Sequence, residues 1–148
     1  MPEPLVSYWT AWNEHDLVAV RTHLELAVTD DVEWNDPRDS FVGIDELEQA
    51  VRRLRTSKPG YAFSIASEID HHHGRLRYRW DMFRGDRTLM EGLDVVTLDP
   101  SSGRIARVDG FFGHPTTIAD GSHIPLALRR EPKLRLKPPL KPHPERRL

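Results

Sequence analysis

Two carboxylic acids and a phenol are the residues best suited to acid–base chemistry. Asp36 stands in Trp34-Asn35-Asp36-Pro37, Asp94 in Gly92-Leu93-Asp94-Val95-Val96, and Tyr8 in Tyr8-Trp9-Thr10-Ala11-Trp12-Asn13. Asp94 poses the sharpest question. Strand side chains alternate between two faces, so Asp94 shares one face with Val96 and Leu98, while Leu93 and Val95 share the other. Either Asp94 lies on solvated sheet, alone or paired with an arginine such as Arg79, or an apolar pocket holds its carboxyl group. Burial there would raise its pKa by penalising the charged form. A neutral carboxyl could then donate a hydrogen bond to an oxygen that is gaining charge. Asp36 also has two readings. It is a turn former before proline, bonding local amides, or it faces a pocket beside Trp34. Tyr8 is a core aromatic with a satisfied hydroxyl, or a donor into that pocket.

The elements that must position these residues follow from periodicity. Residues 4–15 read as a helix with Leu5, Tyr8, Trp9 and Trp12 on one stripe. Asp16 is placed to cap a second helix carrying Leu17, Val20, Leu24 and Val28. Residues 31–37 read as a short strand ended by Asp36-Pro37. Residues 43–57 form a third helix with Ile44, Leu47, Val51 and Leu54 along its apolar side, ended by Pro59-Gly60. Beyond Gly60 the period becomes two. Residues 61–70, 75–84, 88–98 and 104–113 read as four strands joined by hairpin-length linkers. Leu76, Tyr78, Trp80 and Met82 alternate with Arg75, Arg77, Arg79 and Asp81, a strand with one buried and one polar face. Helices followed by a meander make an α+β fold.

A chain of 148 residues suits one domain with a sizeable core. The absence of cysteine excludes disulfides and thiolate metal sites. No stretch reads as a signal peptide or membrane span, so a cytoplasmic protein without membrane contact is expected. The net charge of -2 hides a basic tail: residues 125–148 hold eight Lys/Arg against Glu131 and Glu145. The acidic remainder is unsuited to nucleic acid. Residues 115–148, rich in proline and cations, are expected as an extended strap beside a domain spanning 1–114. Pro138-Pro139-Leu140-Lys141-Pro142 also fits a polyproline-II ligand. His71, His72 and His73 invite a metal, but consecutive hairpin residues cannot all face one ion. No metal or cofactor is expected.

The order of these segments, with "YWTAWNEHDL", "DVEWNDP", "GLDVV" and "GRIARVDGFFG", resembles the nuclear transport factor 2-like superfamily, and within it the SnoaL-like and ketosteroid isomerase-like groups. The resemblance covers roughly residues 5 to 114. It implies a cone: three N-terminal helices packed on a strongly curved antiparallel sheet around an apolar pocket, with homodimers meeting through the outer sheet face. It also implies roles. Asp36 matches the general base before proline. Tyr8, five residues before Asn13, matches the oxyanion donor. Asp94 matches the second, protonated donor. Trp12, Trp34, Trp80, Val108 and Phe112 would line the pocket, though plain core packing explains the same residues. In one respect the chain departs from polyketide cyclases of the SnoaL type, which the pattern gives an acid on the inner face of the last strand. Here that position is Gly110, with Asp109 outward. An Asp–Arg–Asp arrangement like that of limonene epoxide hydrolase lacks its arginine, since Arg75, Arg77 and Arg79 oppose Trp80.

The function so implied is cofactor-free proton transfer, of isomerase or dehydratase type, on a hydrophobic carbonyl compound. Two alternatives stand beside it. One is a binding module for a small hydrophobic ligand without turnover. The other is an interaction protein acting through its dimer and tail.

Overall fold

Apolar residues at helical spacing form three helices, close to where the period predicts them. The computed structural model describes residues 1–115. α1 spans Glu3–Asn13, α2 Val20–Ala27 and α3 Ile44–Ser57. α1 buries Leu5, Tyr8, Ala11 and Trp12. α3 buries Ile44, Leu47, Ala50 and Val51, and its acidic first turn suits the positive end of the helix dipole. The second helix begins later than its expected cap. Asp16 Oδ1 accepts the Val18 amide at 2.9 Å, so it closes a turn, and α2 starts at Val20. Val28, expected on the α2 stripe, instead opens the first strand; β-branched Val28 and Thr29 favour extended backbone.

Seven strands follow: β1 Val28–Asn35, β2 Ser40–Val42, β3 Ala62–Ile65, β4 Asp70–His72, β5 Arg75–Arg84, β6 Arg87–Leu98 and β7 Ile105–Phe112. The sheet order is β2-β1-β7-β6-β5-β3, with β4 also on β5. The sheet is mixed, not purely antiparallel as expected. β1 runs parallel to β7, because the meander β5–β6–β7 reverses twice and returns beside β1 in the same sense. The strand expected at 61–70 is broken in two. Ile65 faces Trp80 but Asp70 faces Arg77, so the chain carries excess residues between them. Ser67 Oγ accepts the Arg79 amide at 2.8 Å there, replacing the ladder bond. β2 was not expected; it is three residues long and follows the Asp36–Asp39 turn. The tail expected at 115–148 lies outside the described residues from 116 onward.

Two side chains tie the helices to the sheet. Asn13 Oδ1 accepts the Phe63 amide at 2.8 Å, and its Nδ2 donates to the Phe63 carbonyl at 3.0 Å. The end of α1 is thereby docked on β3 as though by a strand, which sets the roll of the helix and the aim of Tyr8. Arg55 is 4% exposed and donates to the carbonyls of Glu14, Tyr61 and Pro59. It joins the end of α1 to the loop after α3.

Cross-strand register lays out the inner face in rows. Trp34, Val108, Val96 and Leu76 share one row. Tyr78, Asp94 and Gly110 share the next, and Trp80, Gly92 and Phe112 the third. Gly92 is required by that third row. A Cβ on it would overlap the Trp80 ring and stand 2.9 Å from the Phe111 carbonyl oxygen. Gly92→Ala is therefore expected to lower the unfolding free energy by about 1–3 kcal/mol, the usual cost of overpacking. Urea denaturation checks this, and an unchanged midpoint would contradict the packing described.

Candidate functional site

Between α1, α3 and the inner face of the sheet lies a cavity of about 390 Å³. Tyr8, Asp36 and Asp94 all line it, as do Trp12, Trp34, Trp80 and Phe112. Val108 does not. It is fully buried between Trp34 and Val96 in the first row and belongs to the core, not the cavity wall.

The register explains the meeting of the two acids. Asn35 pairs with Asp109, so Asp36 arrives beside Gly110, and Gly110 pairs with Asp94. A Cβ on Gly110 would lie 3.2 Å from Asp94 Oδ1 and 3.5 Å from Asp36 Cβ. The missing side chain is the space between the acids. Asp109 points the other way, where Arg107 bridges it to Glu33.

Asp94 is 4% exposed and has no cationic partner among the described residues. Arg79 lies on the opposite face, 3.5 Å from Glu91. Asp94 Oδ1 accepts from Trp80 Nε1 at 2.8 Å, and Oδ2 accepts from the Tyr78 hydroxyl at 3.2 Å. Burial pushes its pKa up, the two hydrogen bonds pull it down, and the charge of Asp36 raises it further; the result is about 7. Near neutrality the group is thus poised between acceptor and donor.

Tyr8 is 1% exposed, and burial, then the charge of Asp94, hold its hydroxyl well above the usual phenol range. Its oxygen accepts from Trp34 Nε1 at 2.8 Å. No acceptor among the described residues takes its proton. Trp9 and Trp12 also line the cavity, and their buried indole N–H groups meet no acceptor among the described residues. The Tyr8 hydroxyl thus keeps an unspent proton beside this space, which suits an oxygen that gains negative charge.

Asp36 satisfies both of its readings at once. Its Oδ1 accepts the amides of Arg38 at 2.7 Å and Asp39 at 2.8 Å, closing the turn. Its Oδ2 has no partner among the described residues, and the side chain lines the cavity. Within the described residues no cluster of three His, Cys, Asp or Glu is placed to hold a metal.

Sequence reasoning missed part of the wall. Ala50, Arg53, Leu54 and Ser57 line the cavity from one stripe of α3. Their i, i+3, i+4, i+7 spacing was available, but the cation and hydroxyl made the stripe look solvated. Phe63 lines it from β3, and Arg38 from the turn after Asp36.

The raised pKa of Asp94 makes stability depend on pH. Below about pH 4 the group is neutral whether the chain is folded or not. As pH rises through 3.8 the unfolded chain ionises, while the folded chain keeps its proton until about 7. Stability is thus present at low pH and lost across that window, by up to about 4 kcal/mol at 1.36 kcal/mol per pKa unit. Asp94→Asn is expected to flatten this slope between pH 4 and 7. Urea unfolding of both proteins across that range measures it, and parallel pH curves would contradict a buried, titrating Asp94.

The family model of the SnoaL-like domain matches residues 5–108. No curated protein matches the chain in sequence. Among solved structures, a candidate isomerase of the SnoaL-like family from Agrobacterium tumefaciens superposes with a TM-score of 0.69 at 29% identity, covering 75% of this chain and 95% of that one. A candidate ketosteroid isomerase from Kribbella flavida gives 0.58 at 14% identity over 87% of each chain. A candidate polyketide cyclase from Sinorhizobium meliloti gives 0.59 at 15%, covering 74% of this chain and 94% of that one. The last two likenesses concern the fold alone. With the helices, the curved mixed sheet and the matched segment in agreement, the chain belongs to the SnoaL-like domain family and has the nuclear transport factor 2-like fold.

Proposed function

We propose that this chain catalyses cofactor-free proton transfer, of isomerase or dehydratase type, on a hydrophobic carbonyl compound. The observation that supports it is the meeting of Tyr8, Asp36 and Asp94 on one largely aromatic cavity. Asp36, as carboxylate, takes a proton from the carbon next to the carbonyl. The carbonyl oxygen becomes an enolate and receives hydrogen bonds from the Tyr8 hydroxyl and from protonated Asp94. The Trp34 N–H on the Tyr8 oxygen polarises that hydroxyl as a donor. Asp36 then returns its proton to a different carbon, or gives it to a β-hydroxyl that the enolate expels as water. The apolar wall keeps water from competing.

A second reading is supported by the Asp36 turn. An oxygen held by two amides serves structure, and the same cavity then binds a ligand without turnover. The homodimer implied by the resemblance is also part of our proposal, through the outer sheet face where Phe111 is 56% exposed.

Isomerisation of a β,γ-unsaturated 3-ketosteroid, followed by the ultraviolet absorbance of the conjugated product, tests the chemistry. Turnover is expected, with a loss of about 10²–10⁴-fold in Asp36→Asn, the usual contribution of a general base. It is also expected to fall as pH rises through about 7, where Asp94 loses its proton. A folded Asp36→Asn variant with full activity would exclude Asp36 as the base. For the dimer, sedimentation should show two chains per particle and one in Phe111→Glu. An unaltered mass would move the interface elsewhere.

A further inference from the structure

We infer that the ligand of this cavity is an amphipathic acid, with its apolar body and carbonyl inward and a carboxylate held at the mouth by Arg38 and Arg53. The inference rests on the ligand-pocket reading above and deepens it. Arg38 and Arg53 are the only cations in the cavity wall among the described residues, and both are exposed, which places them at its opening. Other arginines nearby are committed. Arg55 is spent on carbonyls, Arg52 on Glu48 and the Leu17 carbonyl, and Arg107 on Asp109 and Glu33. Arg38 and Arg53 form no ion pair among the described residues.

Each of the two is instead held over an aromatic ring. The Arg38 guanidinium carbon lies 5.2 Å from the centroid of Phe112, and that of Arg53 lies 6.0 Å from Phe41. Both rings belong to the cavity wall. Exposed contacts of this kind are weak, and they leave the guanidinium edges open. A carboxylate can therefore take paired N–H donors without first breaking an ion pair. The acids at the same opening do not pre-empt this. Asp36 spends Oδ1 on two backbone amides, and Asp39 forms no ion pair with either guanidinium. Deeper in the cavity no cation is present among the described residues, and Asp94 is itself an acid, so a ligand's negative charge is best placed at the opening.

The two arginines also stand on different elements, one in the turn after β1 and one on the α3 stripe. A carboxylate between them would tie the turn that carries Asp36 to the helix that covers the cavity. The same contact would fix how far the ligand enters, and so which carbon faces Asp36.

All four tryptophans of the chain line the cavity, so intrinsic fluorescence reports occupancy. The probes are 4-cyclohexyl-4-oxobutanoate and its methyl ester, which share a ketone and an apolar ring and differ in charge. The full chain is titrated with each, alongside an Arg38→Gln, Arg53→Gln double variant. The acid is expected to bind the unmodified chain about tenfold or more tighter than the ester. In the double variant that preference should fall to within about twofold, with ester affinity little altered. Equal binding of acid and ester, or a preference that survives in the double variant, overturns the inference and leaves the apolar pocket standing. Binding of neither compound overturns both the inference and the reading it rests on.

Discussion

A carboxyl group removed from water must either find a cation or keep its proton. Among the described residues Asp94 has no cation. The surroundings that make this tolerable account for much of the inner face of the sheet. Tyr78 and Trp80, on the neighbouring strand, give one hydrogen bond to each carboxyl oxygen. For the Trp80 ring to lie against β6, residue 92 must lack a side chain. For open space to remain in front of the acid, residue 110 must lack one too. A buried acid thus dictates a tyrosine, a tryptophan and two glycines on three adjacent strands.

The tryptophans serve as more than apolar wall. Trp34 and Trp80 each place an indole N–H on a group that could act on substrate, one on Tyr8 and one on Asp94. Large rings occupy the space around these groups while a single donor fixes their orientation. The same residues therefore exclude water and position the polar atoms. This is economical in a chain of this length, because Tyr8, Trp12 and Trp80 belong to the buried core and to the cavity wall at once.

The inward role of Asp94, and of Gly110 rather than Asp109, came from the resemblance, and the register pairs the two residues. Period and spacing alone made the helices and the long strands legible and left Asp94 open between solvated sheet and an apolar pocket. What they did not reveal depends on pairing across the chain. The parallel contact of β1 with β7, the placement of Val108 in the core and the break between β3 and β4 all follow from which strand lies next to which. Local pattern carries no such information. Arg38 and Arg53 were overlooked for another reason: a cation over an aromatic ring at a cavity mouth has the same sequence signature as a solvated surface arginine.

The parallel contact between β1 and β7 has a temporal side. Asp36 is made early in synthesis, yet the residue that brings it beside Asp94 is Gly110, on β7. Until that strand has left the ribosome, β1 can pair only with the three residues of β2. The helices, rich in local contacts, can form while the chain is still growing, but the sheet closes through partners far apart in sequence, which is the slow step in such topologies. The cavity wall, which draws on residues from Tyr8 to Phe112, is therefore complete only when nearly all of the described residues exist. Cavity and sheet are closed by the same late event, the pairing of β7 with β1 and β6.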